Sequence, residues 1–220
     1  MEGYMSISTV VLDFGNVVAF FSHLRAAQQL AAYGKLPAEE VAAALFGGAL
    51  EDDYESGRMS TEEFVRRVRE LCGVCCTDEQ FRTAFADMFW PNPEVCELIP
   101  LLSPRYRLLL LSNTNDLHSR HFRRQFAEVL AHFDAVVCSH EVGVRKPDPR
   151  VFDHCLRLAR ARPDECVFVD DLPANVDAAR ALGWHGIVYR RGEDLRRRLA
   201  ELGVVAAPAK APRPQSPRLA

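Results

Sequence analysis

The chain has 220 residues, with 27 Lys and Arg against 30 Asp and Glu, and 48% of it is hydrophobic. That balance suits a soluble globular protein, either one large domain or a core with an insert. A net charge of −3 without an internal basic run argues against nucleic-acid binding, and no apolar stretch approaches the roughly 20 residues that span a bilayer.

In chain order, Thr9–Asp13 is the first strand-like run. It is apolar throughout and ends in the carboxylate of Asp13, as expected of a buried parallel strand. Four helical patterns follow, over Leu24–Tyr33, Pro37–Leu45, Ser60–Leu71 and Thr77–Phe89. Ser60 and Thr77 precede acidic residues, the pattern of an N-cap and first turn, and Pro37 suits a first helical position. No convincing strand is predicted within 20–90. Strand-like runs then recur at Tyr106–Ser112, Ala135–Ser139, Cys166–Asp170 and His185–Tyr189. Helical patterns over His118–His132, Pro149–Leu158 and Ala174–Leu182 separate them, and Gly183 supplies a helix stop. This alternation predicts an α/β fold with a doubly wound parallel sheet. The expected division is a core of 1–19 and 91–203, a helical cap of 20–90 hanging over the strand ends as a lid, and a tail of 204–220. The tail is rich in proline and poor in apolar bulk, and is expected to be disordered.

The N-terminus lacks the basic-then-apolar order of a secretion signal. The seven cysteines, an odd number, read as free thiols in a reducing compartment, so a cytoplasmic location is expected. Cys72 and Cys75 have zinc-like spacing, but no second pair follows to complete four ligands.

In open α/β sheets, ligands bind beyond the carboxyl ends of the strands, and polar residues collect there. Asp13, followed by Gly15, is suited to nucleophilic attack, to metal binding or to capping a turn. Ser112 and Asn113 can cradle phosphate oxygens. Lys146, between Arg145 and Pro147, can neutralise an anion. Asp170 and Asp171 are poorly placed for burial without a cation, and with Asp13 they make a hard oxygen site for Mg²⁺. Asn175, one turn on, is placed to hold Lys146 or the aspartate pair. Taken singly, each is also explained by a turn, a helix cap or a surface charge. Four strand ends in succession are not.

This succession of Asp13, Ser112, Lys146 and Asp170-Asp171 resembles the four motifs of the haloacid dehalogenase superfamily, over residues 9–190 and including a cap inserted after the first motif. The strings Asp-Phe-Gly-Asn-Val, Leu-Ser-Asn-Thr-Asn and Gly-Val-Arg-Lys-Pro-Asp look like the branch that holds bacterial α-glucose-1-phosphate phosphatases and the phosphatase domain of soluble epoxide hydrolase. The resemblance implies a Mg²⁺-dependent phosphatase acting on a small phosphorylated metabolite, as a monomer or homodimer. Asp13 would be the nucleophile, with Mg²⁺ held by Asp13, the Gly15 carbonyl and Asp171, and with Asp170 orienting or sharing that shell. Ser112, the Asn113 backbone and Lys146 would bind the phosphoryl oxygens.

Gly15 is the departure. Most phosphatases of the superfamily carry an acid–base Asp at this position. Its loss favours leaving groups that depart easily, so a sugar-1-phosphate is the expected substrate. His118, and less so His23, are candidate surrogate bases. Within the cap, Glu51, Asp52, Asp53, Tyr54 and Glu55, with Phe89 and Trp90, are candidate substrate contacts. Two other readings are a 2-haloacid dehalogenase, which attacks carbon without a metal, and a catalytically weak binding or regulatory module.

Overall fold

The computed structural model describes residues 6–206. The chain opens with β1 (Thr9–Leu12) and β2 (Ala19–Phe21). Five helices follow: α1 (His23–Ala31), α2 (Ala38–Leu45), α3 (Ala49–Glu55), α4 (Thr61–Cys72) and α5 (Asp78–Ala86). Then come β3 (Phe89–Pro91), α6 (Pro93–Leu102), β4 (Arg107–Ser112), α7 (Asp116–Gln125), α8 (Ala127–Leu130) and β5 (Ala135–Cys138). The chain continues through α9 (Ser139–Val142), α10 (Pro149–Ala159), β6 (Cys166–Asp170), α11 (Pro173–Ala181), β7 (His185–Val188) and α12 (Leu195–Glu201).

Five strands form a parallel sheet in the order β5-β4-β1-β6-β7. β1 is central, bonded to β4 on one side and β6 on the other, and its four residues are buried. A strand covered on both faces cannot alternate polar and apolar residues, which is why it is legible as a continuous apolar run. After β5 the chain crosses back over β1 to lay down β6, so the strand order reverses around β1. That reversal opens a crevice at its carboxyl end. One face of the sheet packs Val10, Leu12, Leu108, Leu110 and Phe122, and the other Val11, Leu109, Phe152, Phe168 and Trp184.

The five helices between β2 and β3 have an apolar cluster of their own, with Leu30, Leu45, Tyr54, Phe64, Val68, Phe81 and Phe85 at its centre. The Ser60 hydroxyl accepts from the Glu63 N–H, and Thr77 makes a reciprocal capping box with Gln80, so the caps read from sequence are present. Pro37 sits at the N-cap, one residue before the helix.

Three expectations need correction. The 20–90 segment is not free of strand. β2 and β3 pair antiparallel through Phe20 and Trp90 where the chain leaves the core and returns. Three residues carry too little periodicity to register as a strand. Nor does the sequence predict helices α3, α6, α9 and α12. The first is short and acidic, and the second hides a helical apolar face behind Pro100. The 204–220 tail begins packed. Val204 and Ala206 are buried against the core, and the Val205 N–H donates to the Tyr106 hydroxyl; residues 207–220 lie outside the described residues. All seven cysteines are free thiols, four of them buried. Among the described residues no helix is long and apolar enough to cross a membrane.

Candidate active site

Asp13 follows the last residue of β1, where its N–H donates to the Val169 carbonyl and its own Oδ1 accepts from the Phe14 N–H. Lys146 comes from the loop after α9, and its ammonium is fully used. It donates to Asp13 Oδ1 at 2.6 Å, Asp170 Oδ2 at 2.7 Å and the Leu111 carbonyl at 3.0 Å. Asn113 grips the backbone of Lys146 from both sides, accepting from its N–H and donating to its carbonyl. Asp170, with no exposed surface, accepts from Lys146, from Asn175 and from the Leu172 N–H. Of the two roles open to Asn175 from sequence, it therefore holds the aspartate. Asn16 donates to Asp171 Oδ2 at 2.9 Å. Its left-handed backbone, at φ 56°, is one that Asn tolerates better than most residues.

Oxygens of Asp13, Asp170 and Asp171 lie within 4.8 Å of one another. Three carboxylates thus face one ammonium, and the excess negative charge suits a divalent cation with oxygen ligands. Burial pushes the Asp13 carboxyl up to about 8. Lys146 opposes that shift, while Asp170 and Asp171 add to it. Lys146 is raised despite burial, because Asp13 and Asp170 favour its charged form.

A cavity of about 240 Å³ opens over this cluster. Asp13, Gly15, Ser112, Asn113, Lys146, Asp171 and Asn175 line its floor, and Phe21, His23, Glu51, Glu55, Met88 and Phe89 contribute from the inserted helices and the strands that flank them. Glu51, Glu55 and Phe89 are thus where the sequence reading placed them. Trp90 is not; it pairs with the Phe20 ring. Asp53 pairs with Arg58, and Tyr54 is buried with its hydroxyl on Thr61.

His118 lines the cavity but does not suit a surrogate base. Its Nδ1 lies 2.9 Å from Asn115 Nδ2 and its Nε2 lies 3.3 Å from the Phe85 carbonyl. Burial drives its pKa down to about 3. His23 is stacked on Phe46, and burial lowers it too. Sequence reasoning passed over Asn16 and the Arg145–Glu55 pair at 2.8 Å. Arg145 stands beside Lys146 in the chain, but only folding shows that it reaches α3, where it also pairs with Asp52.

The pattern of the haloacid dehalogenase-like hydrolases matches residues 7–183. The chain belongs to this family. It is a hydrolase with an α/β fold, as its four motifs implied. A D-ribitol-5-phosphate phosphatase of Bacteroides thetaiotaomicron is 28% identical over 200 residues, covering 88% of this chain and 97% of that protein. A haloacid dehalogenase-family enzyme of the same organism, solved with magnesium and inorganic phosphate, superposes with a TM-score of 0.76. It is 26% identical, over 88% of this chain and 99% of that one. The L-2-haloacid dehalogenase of Xanthobacter autotrophicus has a TM-score of 0.62 at 19% identity, over 90% of this chain and 84% of that one; it shares the fold.

Proposed function

We propose that this hydrolase is a Mg²⁺-dependent phosphatase that cleaves a small sugar or polyol phosphate through a phosphorylated Asp13. The observation that carries this reading is the Lys146 ammonium bridging Asp13 and Asp170 beside Asp171. Asp13 and Asp171, with the Gly15 carbonyl, would hold the ion, and Asp170 would orient that shell through Lys146 and Asn175. When bound, the ion would neutralise charge on the phosphoryl oxygens. Asp13 attacks phosphorus in line with the leaving oxygen. Ser112, the backbone at Asn113 and Lys146 bind the phosphoryl oxygens. The cap keeps bulk water from the cavity. Halide displacement from carbon has no use for three converging carboxylates, so dehalogenation is the weaker reading. The free thiols support work in a reducing cytoplasm.

On substrate, Gly15 favours an easily departing group such as an anomeric oxygen. The relative named for D-ribitol 5-phosphate points to primary alkyl esters as well, so the reading covers both sugar and polyol phosphates. The test is hydrolysis of p-nitrophenyl phosphate and a sugar-phosphate panel by purified protein with Mg²⁺. Turnover is expected, and Asp13→Asn should reduce it by at least ~10³-fold. A wild type without turnover, indistinguishable from Asp13→Asn, would sink the phosphatase reading and leave a binding module.

A further inference from the structure

A carboxyl side chain at position 15 would have to displace the Phe21 ring. A Cβ built on Gly15 would lie 2.9 Å from Cε1 of the Phe21 ring and 3.3 Å from Cδ1. Phe21 occupies the space through which such a side chain would pass. Yet a primary alkyl phosphate needs a proton for its leaving oxygen, so some other group lining the cavity must supply it. Asp13, Asp170 and Lys146 are tied to one another at the phosphoryl end, Asp171 is held by Asn16, and Glu51 accepts from the Gly47 N–H. His118 has both ring nitrogens engaged, and His23 is stacked at the cavity edge with two-fifths of its side chain exposed.

We propose that Glu55 is the general acid–base residue, delivered from the cap in place of the absent carboxyl at position 15. The inference rests on the phosphatase reading above. Glu55 closes α3 and is 7% exposed, and it lines the same cavity as Asp13. Its backbone is pinned to the core, where the Ser139 hydroxyl donates to the Glu55 carbonyl at 2.6 Å. Two residues on, Gly57 lies so close to the His140 carbonyl that any Cβ there would clash with it. Arg145 Nη2 lies 2.8 Å from Glu55 Oε2. Among the described residues the carboxyl takes no other hydrogen bond, which leaves an oxygen for the cavity.

The charges around Glu55 come from three sides. Glu51 and Asp52 lie on its own helix, Arg145 and Lys146 on the loop after α9, and Asp13 at the end of β1. Burial pushes Glu55 up to about 8, Glu51 and Asp13 add repulsion, and Lys146 opposes them. Arg145 also favours the charged form, as any adjacent cation does. A buried carboxyl held above its usual range keeps a proton to give, which suits a group that must give and then take one.

In the first step Asp13 forms a bond to phosphorus. The bond to the leaving oxygen breaks with its electron pair, and that oxygen takes the Glu55 proton and departs as an alcohol. In the second step a water oxygen bonds to phosphorus and its proton passes to the Glu55 carboxylate. The phosphorus bond to Asp13 breaks, returning the electron pair to the aspartate and releasing phosphate.

The experiment compares wild type and Glu55→Gln, with Mg²⁺, on ribitol 5-phosphate and p-nitrophenyl phosphate. Nitrophenolate leaves without a proton, whereas an alkoxide does not. Glu55→Gln should slow ribitol 5-phosphate cleavage by about 100-fold or more. The first-turnover burst of p-nitrophenol should change less than about threefold, with phosphorylated Asp13 then accumulating and visible by intact-mass spectrometry. The wild type gives a second reading: kcat/KM for ribitol 5-phosphate should fall on an alkaline limb that the nitrophenol burst lacks. Equal slowing of both substrates, no slowing of either, or a limb shared by both overturns the assignment while leaving the phosphatase reading standing. Absence of any p-nitrophenol release by the wild type defeats both.

Discussion

Gly15 and Phe21 form a reciprocal pair in the lining of the cavity. The glycine leaves a side chain's width, and the ring fills it. Gly15→Ala forces the ring aside in a packed site, and overpacking of this kind costs about 1–3 kcal/mol. Urea denaturation should show that loss. Gly15→Ala in a Phe21→Leu background should recover most of it, since the smaller side chain yields the space. No recovery would mean that the glycine is needed for another reason. The same scale explains why Lys146 is buried with a charge: its three donors all have acceptors, two of them ionised, and charge-assisted bonds of this kind offset desolvation.

At the scale of elements, the contact that matters runs from the end of α3 to the start of α9. The Ser139 hydroxyl joins the Glu55 carbonyl to the Thr114 backbone, taking in the turn after β4 as well. Gly57, at φ 66° and against the His140 carbonyl, lets the segment after α3 approach the start of α9 directly. Gly57→Ala should lower stability by more than about 1 kcal/mol, because strain and a backbone clash add, and should lower turnover by displacing Glu55. Gly47→Ala is the comparison. That glycine also has a positive φ, of 77°, but nothing lies near its Cβ position, so it should cost the strain alone. Equal losses in chemical denaturation would remove the clash from the account.

For the whole molecule, the converging carboxylates make the fold's stability depend on cation. Three of them meet around one ammonium at the sheet's centre. A ligand that binds only the folded state adds about 2.7 kcal/mol at 100 times its Kd. Saturating Mg²⁺ should therefore raise the Tm, and EDTA should reverse the rise. The shift should be strongly reduced in Asp171→Asn, which removes a charge that the Asn16 contact alone does not require. A Tm indifferent to Mg²⁺ in the wild type would argue against the proposed ion site.

The sequence by itself determined the parallel core and the floor of the site. Fully buried strands must read as apolar runs, and a parallel sheet must collect its polar residues at one edge, so Asp13, Ser112 and Asp170-Asp171 were legible from strand ends; Lys146, expected at a strand end too, comes instead from the loop after α9. Caps at Ser60 and Thr77 were legible because capping is local. What only the tertiary structure decided lies between distant segments. Arg145 meets Glu55 across 90 residues of chain, Asn16 meets Asp171, and β2 meets β3, and no local periodicity marks such pairs. Gly15 stood in the sequence as an absence. Packing turned it into a position that Phe21 keeps empty, and moved the search for its missing carboxyl to the cap.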